Sequence, residues 1–279
     1  MNNTVYLDHA ATTYVDPKVL ESMLPYFTEE FGNPTSIYSQ GRSAKKAIED
    51  ARTTISELLN CEYGELIFTG SGTESDNLAI LGIARANKEK GLHIISTTIE
   101  HSSISAPLAQ LEKEGFKITL LTPDSQGLIS PADLEAAIQE NTILTSIIYA
   151  HNEFGTIQDI SALGTICQKK NILFHTDACQ AAGALTMDTQ ELDVNLLTLN
   201  ASKIYGPKGI GVLFKASSIK LEPQIIGGGQ ESNLRSGTEN VPGIVGMAKA
   251  LELAQETYKE ESARLTTLRN HLIDGIEKQ

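Results

Sequence analysis

The sequence predicts an α/β fold, with a mainly parallel seven-stranded sheet and helices on both faces. Three observations lead there. Seven short β-branched or apolar runs are spread along the 279-residue chain. Several are apolar at consecutive positions, as expected of strands buried on both faces. Amphipathic helical stretches fall between them, the alternation that builds parallel β-α-β units.

In chain order the predicted strands are 65–69, 93–97, 117–122, 143–149, 172–176, 196–199 and 210–214. The last follows its predecessor after a short Gly/Pro connection, too short for a crossover helix, so it is expected to run antiparallel. A helix is predicted over 74–90. Ser130 before Pro131 supplies an N-cap and a Pro at the first helical position, with Leu134 and Ile138 on one face. A third helix is predicted over 160–170. From 244 to 278 the chain reads as helix almost throughout. Residues 1–15 precede any β-α unit. The chain stops on a helical pattern at Gln279, so sequence is expected to be missing beyond it.

Composition narrows the function classes. Hydrophobic residues make up 41% and charged residues 20%, an ordinary globular balance. A chain of this length buries roughly 75% of its unfolded surface and needs no disulfide or metal staple. Lys and Arg number 22 against 35 Asp and Glu, a net charge of −13. That argues against wrapping nucleic acid or coating an anionic membrane, and leaves room for a local phosphate pocket. Cys61, Cys167 and Cys179 are too few and too scattered for a disulfide framework, and no Cys/His cluster has zinc spacing. Met1-Asn2-Asn3-Thr4 has neither the basic nor the apolar region of a signal peptide. No apolar run approaches the ~18 residues of a membrane span. The expectation is a soluble cytoplasmic protein.

In open α/β sheets ligands bind beyond the carboxyl ends of the strands, so the residues after each run carry the functional reading. After 65–69 comes Gly70-Ser71-Gly72-Thr73-Glu74-Ser75-Asp76-Asn77. The glycines allow close backbone approach, Thr73 and Asp76 could form a capping box, and a helix follows. Free amides and a positive dipole end make a phosphate cradle. Read alone, a plain strand-to-helix turn explains the segment equally well. After 172–176 comes Asp177, a candidate partner for a ligand cation, although a lone acid there is more commonly an N-cap. After 196–199 comes Asn200-Ala201-Ser202-Lys203-Ile204-Tyr205-Gly206-Pro207. A lone lysine is nearly always solvated, but Lys203 stands between a buried strand and a turn, facing the crevice.

Together these parts match what pyridoxal 5'-phosphate requires. Amides and hydroxyls suit its phosphate, a carboxylate its pyridinium nitrogen, and an amine its aldehyde. His101 could stack on the ring, and Asn152 could bond its hydroxyl.

The chain resembles the cysteine desulfurases of the NifS/IscS type, class V aminotransferase-like enzymes of pyridoxal-phosphate fold type I. The resemblance rests on Tyr6-Leu7-Asp8-His9-Ala10-Ala11-Thr12-Thr13, on Phe31-Gly32-Asn33-Pro34-Thr35-Ser36, and on the 68–80 stretch. It continues through His151-Asn152-Glu153-Phe154-Gly155-Thr156-Ile157-Gln158, 175–180 and 203–209, then Gly227-Gly228-Gly229-Gln230-Glu231 and Leu234-Arg235-Ser236-Gly237-Thr238-Glu239-Asn240. It covers essentially the whole chain in order.

By that resemblance Lys203 is the Schiff-base lysine, Asp177 pairs the ring nitrogen, and His101 stacks on the ring and relays protons. Asn152 and Gln180 flank the ring hydroxyl. Gly72, Thr73 and Ser202 hold the phosphate, and Thr238 reaches the phosphate of the neighbouring subunit of a homodimer. The implied reaction removes sulfur from L-cysteine, giving L-alanine and an enzyme persulfide. The sulfur goes to an acceptor such as an iron–sulfur scaffold protein, or into tRNA thiolation. The resemblance also implies three parts. Residues 1–15 belong to a small domain, 16–255 form the large cofactor-binding domain, and 256–279 are a helix leading into a missing C-terminal small domain.

Two departures stand out. The family commonly carries Ser-x-His before its lysine, and here Asn200 and Ser202 stand in those places, removing a cationic phosphate contact. The family's persulfide cysteine and its substrate-carboxylate arginine fall beyond the position of Gln279. Of the cysteines present, Cys61 reads as a buried helix-end residue, Cys167 as core, and Cys179 as a small filler beneath the cofactor rather than a nucleophile. Other readings stay open at this stage: a selenocysteine lyase, another class V enzyme, or a catalytically silent cofactor-binding scaffold.

Overall fold

The computed structural model describes residues 5–278. The leader reading of residues 1–4 and the chain end at Gln279 lie outside the described residues. The strands are β1 (Leu66–Thr69), β2 (His93–Thr97), β3 (Lys117–Leu121), β4 (Thr142–Ser146), β5 (Leu173–Asp177), β6 (Leu196–Asn200) and β7 (Gly211–Lys215). They form one sheet in the order β1-β7-β6-β5-β4-β2-β3. β7 runs antiparallel to both neighbours, as its short connection predicts, while the other ladders are parallel. All seven predicted strands are present, each within a few residues of its expected bounds.

The helices are α1 (Pro17–Met23), α2 (Pro25–Thr28), α3 (Ser39–Leu59), α4 (Gly72–Ala86), α5 (Ser102–Lys113), α6 (Pro131–Ala137), α7 (Ile160–Lys169) and α8 (Val241–Glu277). α4 and α5 cover one face of the sheet, where Ile80, Ile83, Ile104 and Leu111 meet Ile94, Leu144 and Leu213. α3, α7 and α8 cover the other, where Ile55, Leu59, Leu163 and Met247 meet Phe174, Leu197 and Phe214. Neighbours such as Leu213 and Phe214 serve opposite cores because successive strand side chains point to opposite faces. That is the origin of the continuous apolar runs in the sequence. Each large side chain fully buried in these layers contributes roughly 1.5–3 kcal/mol. β3 forms one edge of the sheet, and its five residues begin with an exposed Lys117, a charge that discourages further strand pairing.

Three local expectations need correction. α4 is capped by Ser71, whose hydroxyl accepts from the Glu74 amide, while the Glu74 carboxylate accepts from the Gly70 amide. The Thr73–Asp76 capping box therefore does not form. Asp76 instead turns inward and is buried. The strand expected over 143–149 is regular only through Ser146: beyond it Ile147 and Tyr149 still donate to the His175 and Asp177 carbonyls of β5, while on the other side the Ile148 amide is given to the Glu100 carboxyl. Cys61 is half-buried rather than buried. It follows Asn60, which ends α3 in the left-handed conformation at φ 51°.

α8 is one uninterrupted helix from Val241 to Glu277, passing through residue 255 without a break. Its first turns are buried through Leu251, and Gln255 and Ser262 then donate to the Ala182 and Ala184 carbonyls at 2.7 and 2.9 Å.

Candidate active site

A cavity of about 570 Å³ opens at the carboxyl ends of β5 and β6 and the N-terminus of α4. Its walls include Gly72, Thr73, His101, Asn152, Asp177, Gln180, Ser202 and Lys203. Eight of the nine residues singled out from the sequence thus meet in one space. The ninth, Thr238, is exposed on the loop between β7 and α8 and does not line the cavity. That loop is tied to α4 by Arg235, whose Nε donates to Glu74 Oε1 at 2.8 Å.

The α4 end of the cavity is a backbone donor site. Ser71 occupies the Glu74 amide, and the Ser71 carbonyl accepts from the Ser75 amide. Among the described residues the Gly72 and Thr73 amides have no acceptor, so they remain free for an anion at the positive end of a helix. A side chain at residue 72 would fill this cradle, since a Cβ there would lie 2.8 Å from Cys179 Sγ and 3.3 Å from Asn200 Cβ. The Ser202 hydroxyl lies opposite, held at 3.1 Å by Asn200 Oδ1.

Asp177 ends β5 and is buried, with Oδ1 accepting from the Cys179 amide at 2.9 Å. The turn-capping role and the cavity-facing role suggested by its position therefore coexist. Beneath it lie groups that burial keeps neutral. His175 bonds Ser146 Oγ at 2.9 Å and Thr198 Oγ1 at 3.1 Å, and burial pushes its pKa down to about 3. Its 3.7 Å approach to Asp76 is therefore not an ion pair. Burial, reinforced by the Asp177 charge, raises the Asp76 carboxyl well above the usual range. Glu100 accepts from Thr97 Oγ1 at 2.7 Å and the Ile148 amide at 3.0 Å, and burial pushes it up to about 8. As a residue Glu100 is half-exposed, but its carboxyl Oε2 is enclosed, and the enclosed carboxyl is what titrates.

Lys203 follows β6 in a short 3₁₀ turn, Ala201–Lys203. Its Nζ donates to the Ala10 carbonyl at 2.8 Å and the Ala11 carbonyl at 2.7 Å. Gln180 Nε2 donates to the same Ala10 carbonyl at 2.9 Å. The N-terminal segment is laced to the lysine turn. The Thr13 amide and hydroxyl both donate to the Ser202 carbonyl, at 2.9 and 3.0 Å, and the Thr13 hydroxyl accepts from the Tyr205 amide at 2.9 Å. Tyr205 sits at φ 61°, a strained turn that these bonds hold in place.

Sequence reasoning missed this strap because carbonyl acceptors carry no side-chain signature. It also gave no cavity role to Ser103 or Asp76, which line the space, and none to the Glu100 carboxyl enclosed nearby. All three sit within segments flagged for other reasons, and only their enclosure distinguishes them.

None of the three thiols is activated. Burial raises Cys61 to about 12 and Cys167 to about 11, and it pushes Cys179 up as well. Among the described residues no group of three His, Cys, Asp or Glu could hold a metal, and no helix is long and apolar enough to cross a membrane.

The fold and this arrangement of anion cradle, buried carboxyl and amine define a class of protein, and comparison with known proteins places the chain in it. The family described as Aminotransferase class-V matches residues 5–279, and the chain belongs to that family. It is similar to the cysteine desulfurase IscS of Clostridium botulinum, 51% identical over 277 residues, which is 99% of this chain and 70% of that protein. A solved structure named a NifS-like protein superposes with a TM-score of 0.96 at 38% identity, over 98% of this chain and 76% of the other. A structure of SspA in complex with cysteine superposes at 0.87 with 41% identity, over 89% and 72%. The family is pyridoxal-phosphate dependent, and the residues present fit the group. The free α4 amides answer its phosphate, the cradle tolerates no side chain at 72, and one amine and one buried carboxyl share the cavity.

Proposed function

We propose that the chain is a pyridoxal-phosphate-dependent cysteine desulfurase, converting L-cysteine to L-alanine and passing the sulfur to a thiol. The observation that carries the reading is the convergence of Lys203, Asp177 and the open α4 amides on one cavity. The 51% identity to a protein named cysteine desulfurase IscS supports the choice of substrate.

Bound pyridoxal phosphate supplies an electron sink for the substrate carbon that loses its proton. The chain's own residues do the rest. Gly72, Thr73 and Ser202 receive the phosphate, and Asn152 and Gln180 flank the ring hydroxyl. Asp177 keeps a proton on the ring nitrogen, its negative charge offsetting that cation in a buried setting. His101 covers the ring face. The Lys203 amine first tethers the cofactor and, once released, is the base for the Cα proton. The Ala10 and Ala11 carbonyls give the free amine two acceptors at the cavity wall, so it stays aimed while untethered.

Cys61, Cys167 and Cys179 remain thiols at neutral pH, and a thiol is a poor nucleophile toward sulfur. The sulfur-accepting cysteine is accordingly assigned outside these residues, in a small domain that α8 leads toward, and the family resemblance implies the same place for the arginine that takes the substrate carboxylate. Residues 1–15 form its other portion and 16–255 the cofactor-binding domain. A homodimer in which Thr238 serves the partner's site accords with the exposure of Thr238 outside its own cavity. A cytoplasmic location, and a sulfur acceptor such as an iron–sulfur scaffold or a tRNA-thiolation protein, complete the reading.

The test is spectroscopic and then chemical. Pyridoxal phosphate added to the purified chain should produce the visible absorption of a lysine-bound cofactor, and Lys203→Ala should abolish it with the fold intact. Asp177→Ala should keep the cofactor and, in the protein completed with its sulfur-accepting cysteine, lose alanine formation. An unchanged absorption band in Lys203→Ala would refute the assignment. Preference for L-selenocysteine over L-cysteine in the alanine assay would move the chain to a selenocysteine lyase.

A further inference from the structure

His101 is held by more than the ring it is proposed to cover. Its Nδ1 lies 2.7 Å from Ser103 Oγ and 3.2 Å from the Ser103 amide nitrogen, whose N–H points at it. Ser103 Oγ in turn lies 2.6 Å from Asp76 Oδ2. Counting hydrogens along this chain fixes every donor. The Ser103 amide is a fixed donor at the start of α5, so Nδ1 must present its lone pair. A protonated Nδ1 would set two N–H groups head to head. With Nδ1 an acceptor, the short contact from Ser103 Oγ must be the hydroxyl donating to it. A serine hydroxyl has one hydrogen, so toward Asp76 its oxygen can only accept. The hydrogen in the 2.6 Å contact therefore belongs to the carboxyl.

We propose that Asp76 and Ser103 are positioning residues for His101: a donor chain from the Asp76 carboxyl through the Ser103 hydroxyl to Nδ1 keeps the imidazole neutral, with its proton on Nε2. This rests on the proposed placement of His101 over the cofactor. It makes the imidazole atom left for the reaction, Nε2, a proton donor.

The surroundings of Asp76 agree. Its side chain is 1% exposed, and Oδ1 has no partner among the described residues. A bare oxygen costs far less on a neutral acid than on a carboxylate. Four titratable groups face it: the Asp177 carboxyl and the His175 imidazole on β5, the Cys179 thiol just after that strand, and the Glu100 carboxyl before α5. Burial and the Asp177 charge both favour the protonated acid, and His175, held neutral, supplies no compensating cation. Thr198 and Ser103 oppose this shift more weakly.

The test uses the full chain, labelled with ¹⁵N-histidine, both cofactor-free and loaded with pyridoxal phosphate. At about pH 7 the His101 resonances should show an unprotonated Nδ1 and a protonated Nε2 in both forms, and infrared spectra should show protonated-carboxyl absorption from both Glu100 and Asp76, of which the Asp76 component disappears in Asp76→Leu. Ser103→Ala and Asp76→Leu leave the 3.2 Å Ser103 amide as the fixed donor to Nδ1, so the Nε2–H tautomer should persist at a reduced population. In the protein completed with its sulfur-accepting cysteine, they should lower kcat for alanine formation about ten-fold or more, within the range set by general acid–base catalysis, with little change in KM. Asp76→Asn keeps a donor toward Ser103 and should restore the Nε2–H tautomer and most of the rate. Thermal melts and cofactor absorption would confirm that each variant is folded and loaded. A protonated Nδ1 in the unsubstituted chain, or protonated-carboxyl absorption unchanged in Asp76→Leu, would overturn the proposal. Because the tautomer is read in the cofactor-free chain as well, a chain that binds no cofactor would refute the desulfurase reading separately from the donor chain.

Discussion

Glu100→Gln isolates the cost of an enclosed carboxyl at this site. The Glu100 carboxyl sits at about 8, against an ordinary value of 4.5. The folded chain therefore holds a proton that the unfolded chain releases anywhere between those values. The unfolded state gives up its proton first, so stability falls as pH rises from about 4.5 to about 8 and stays low above. At ~1.4 kcal/mol for each tenfold change in proton affinity, the whole interval amounts to roughly 5 kcal/mol. Between about pH 6 and about pH 9 the loss is about 3 kcal/mol. Glutamine preserves the shape, and its oxygen can keep the two bonds from Thr97 Oγ1 and the Ile148 amide. Urea unfolding of the cofactor-free chain at the two pH values measures the effect. With glutamine standing in for the protonated acid, Glu100→Gln should be the more stable by about 2 kcal/mol at about pH 6 and by about 5 kcal/mol at about pH 9, the gap widening by about 3 kcal/mol. Other titrating groups, Asp76 included, are common to both proteins and cancel in the difference. A stability difference that is the same at both pH values would refute the reasoning.

Two further perturbations address the strap and the cradle. Thr13→Val removes the hydroxyl that bonds both Ser202 and Tyr205. It leaves a buried amide without a partner and should cost about 1–3 kcal/mol, or roughly 2–4 °C of Tm per kcal/mol. Thr12→Val, which loses only a 3.5 Å contact to the Thr13 carbonyl, should stay within about 0.5 kcal/mol in the same melts. Gly72→Ala places a methyl 2.8 Å from Cys179 Sγ, an overpacking of about 1–3 kcal/mol that should also weaken pyridoxal phosphate binding in a fluorescence titration. Adding Cys179→Ala should recover most of the lost stability. Additive losses in the double variant would mean that the crowding arises elsewhere.

Much of the architecture was legible because burial on both faces imposes continuous apolar runs, as at Leu196, Leu197 and Leu199, and because short connections force antiparallel pairing. The site was legible where a side-chain type is itself the message: Lys203 and Asp177 after strand ends, and Gly72 in a cradle. What escaped was whatever depends on enclosure or on backbone acceptors. Asp76 has the spacing of a capping residue, and only the fold shows that Ser71 already caps α4 and that Asp76 faces Ser103 across the cavity floor. The Ala10 and Ala11 carbonyls that receive the Lys203 amine look like nothing in a string of letters. Past Ser146 the β4 run keeps its bonds to β5 through Ile147 and Tyr149, but a glutamate 48 residues away takes the Ile148 amide on the other side, a pairing that periodicity cannot register.

The place of β1 in the sheet dictates when this pocket can exist. β1 pairs only with β7, whose residues come roughly 150 positions later. On the ribosome, at ~5–20 residues per second, the segment carrying the anion cradle waits on the order of 10–30 s for its only strand partner. The Thr13 strap likewise has nothing to grip until Ser202 and Tyr205 emerge. The nascent chain can assemble β2 to β5 early, but vitamin capture is deferred until the lysine turn and β7 are out. A stalled or prematurely released product would thus carry a partly formed sheet with an unguarded edge and no means of holding the coenzyme.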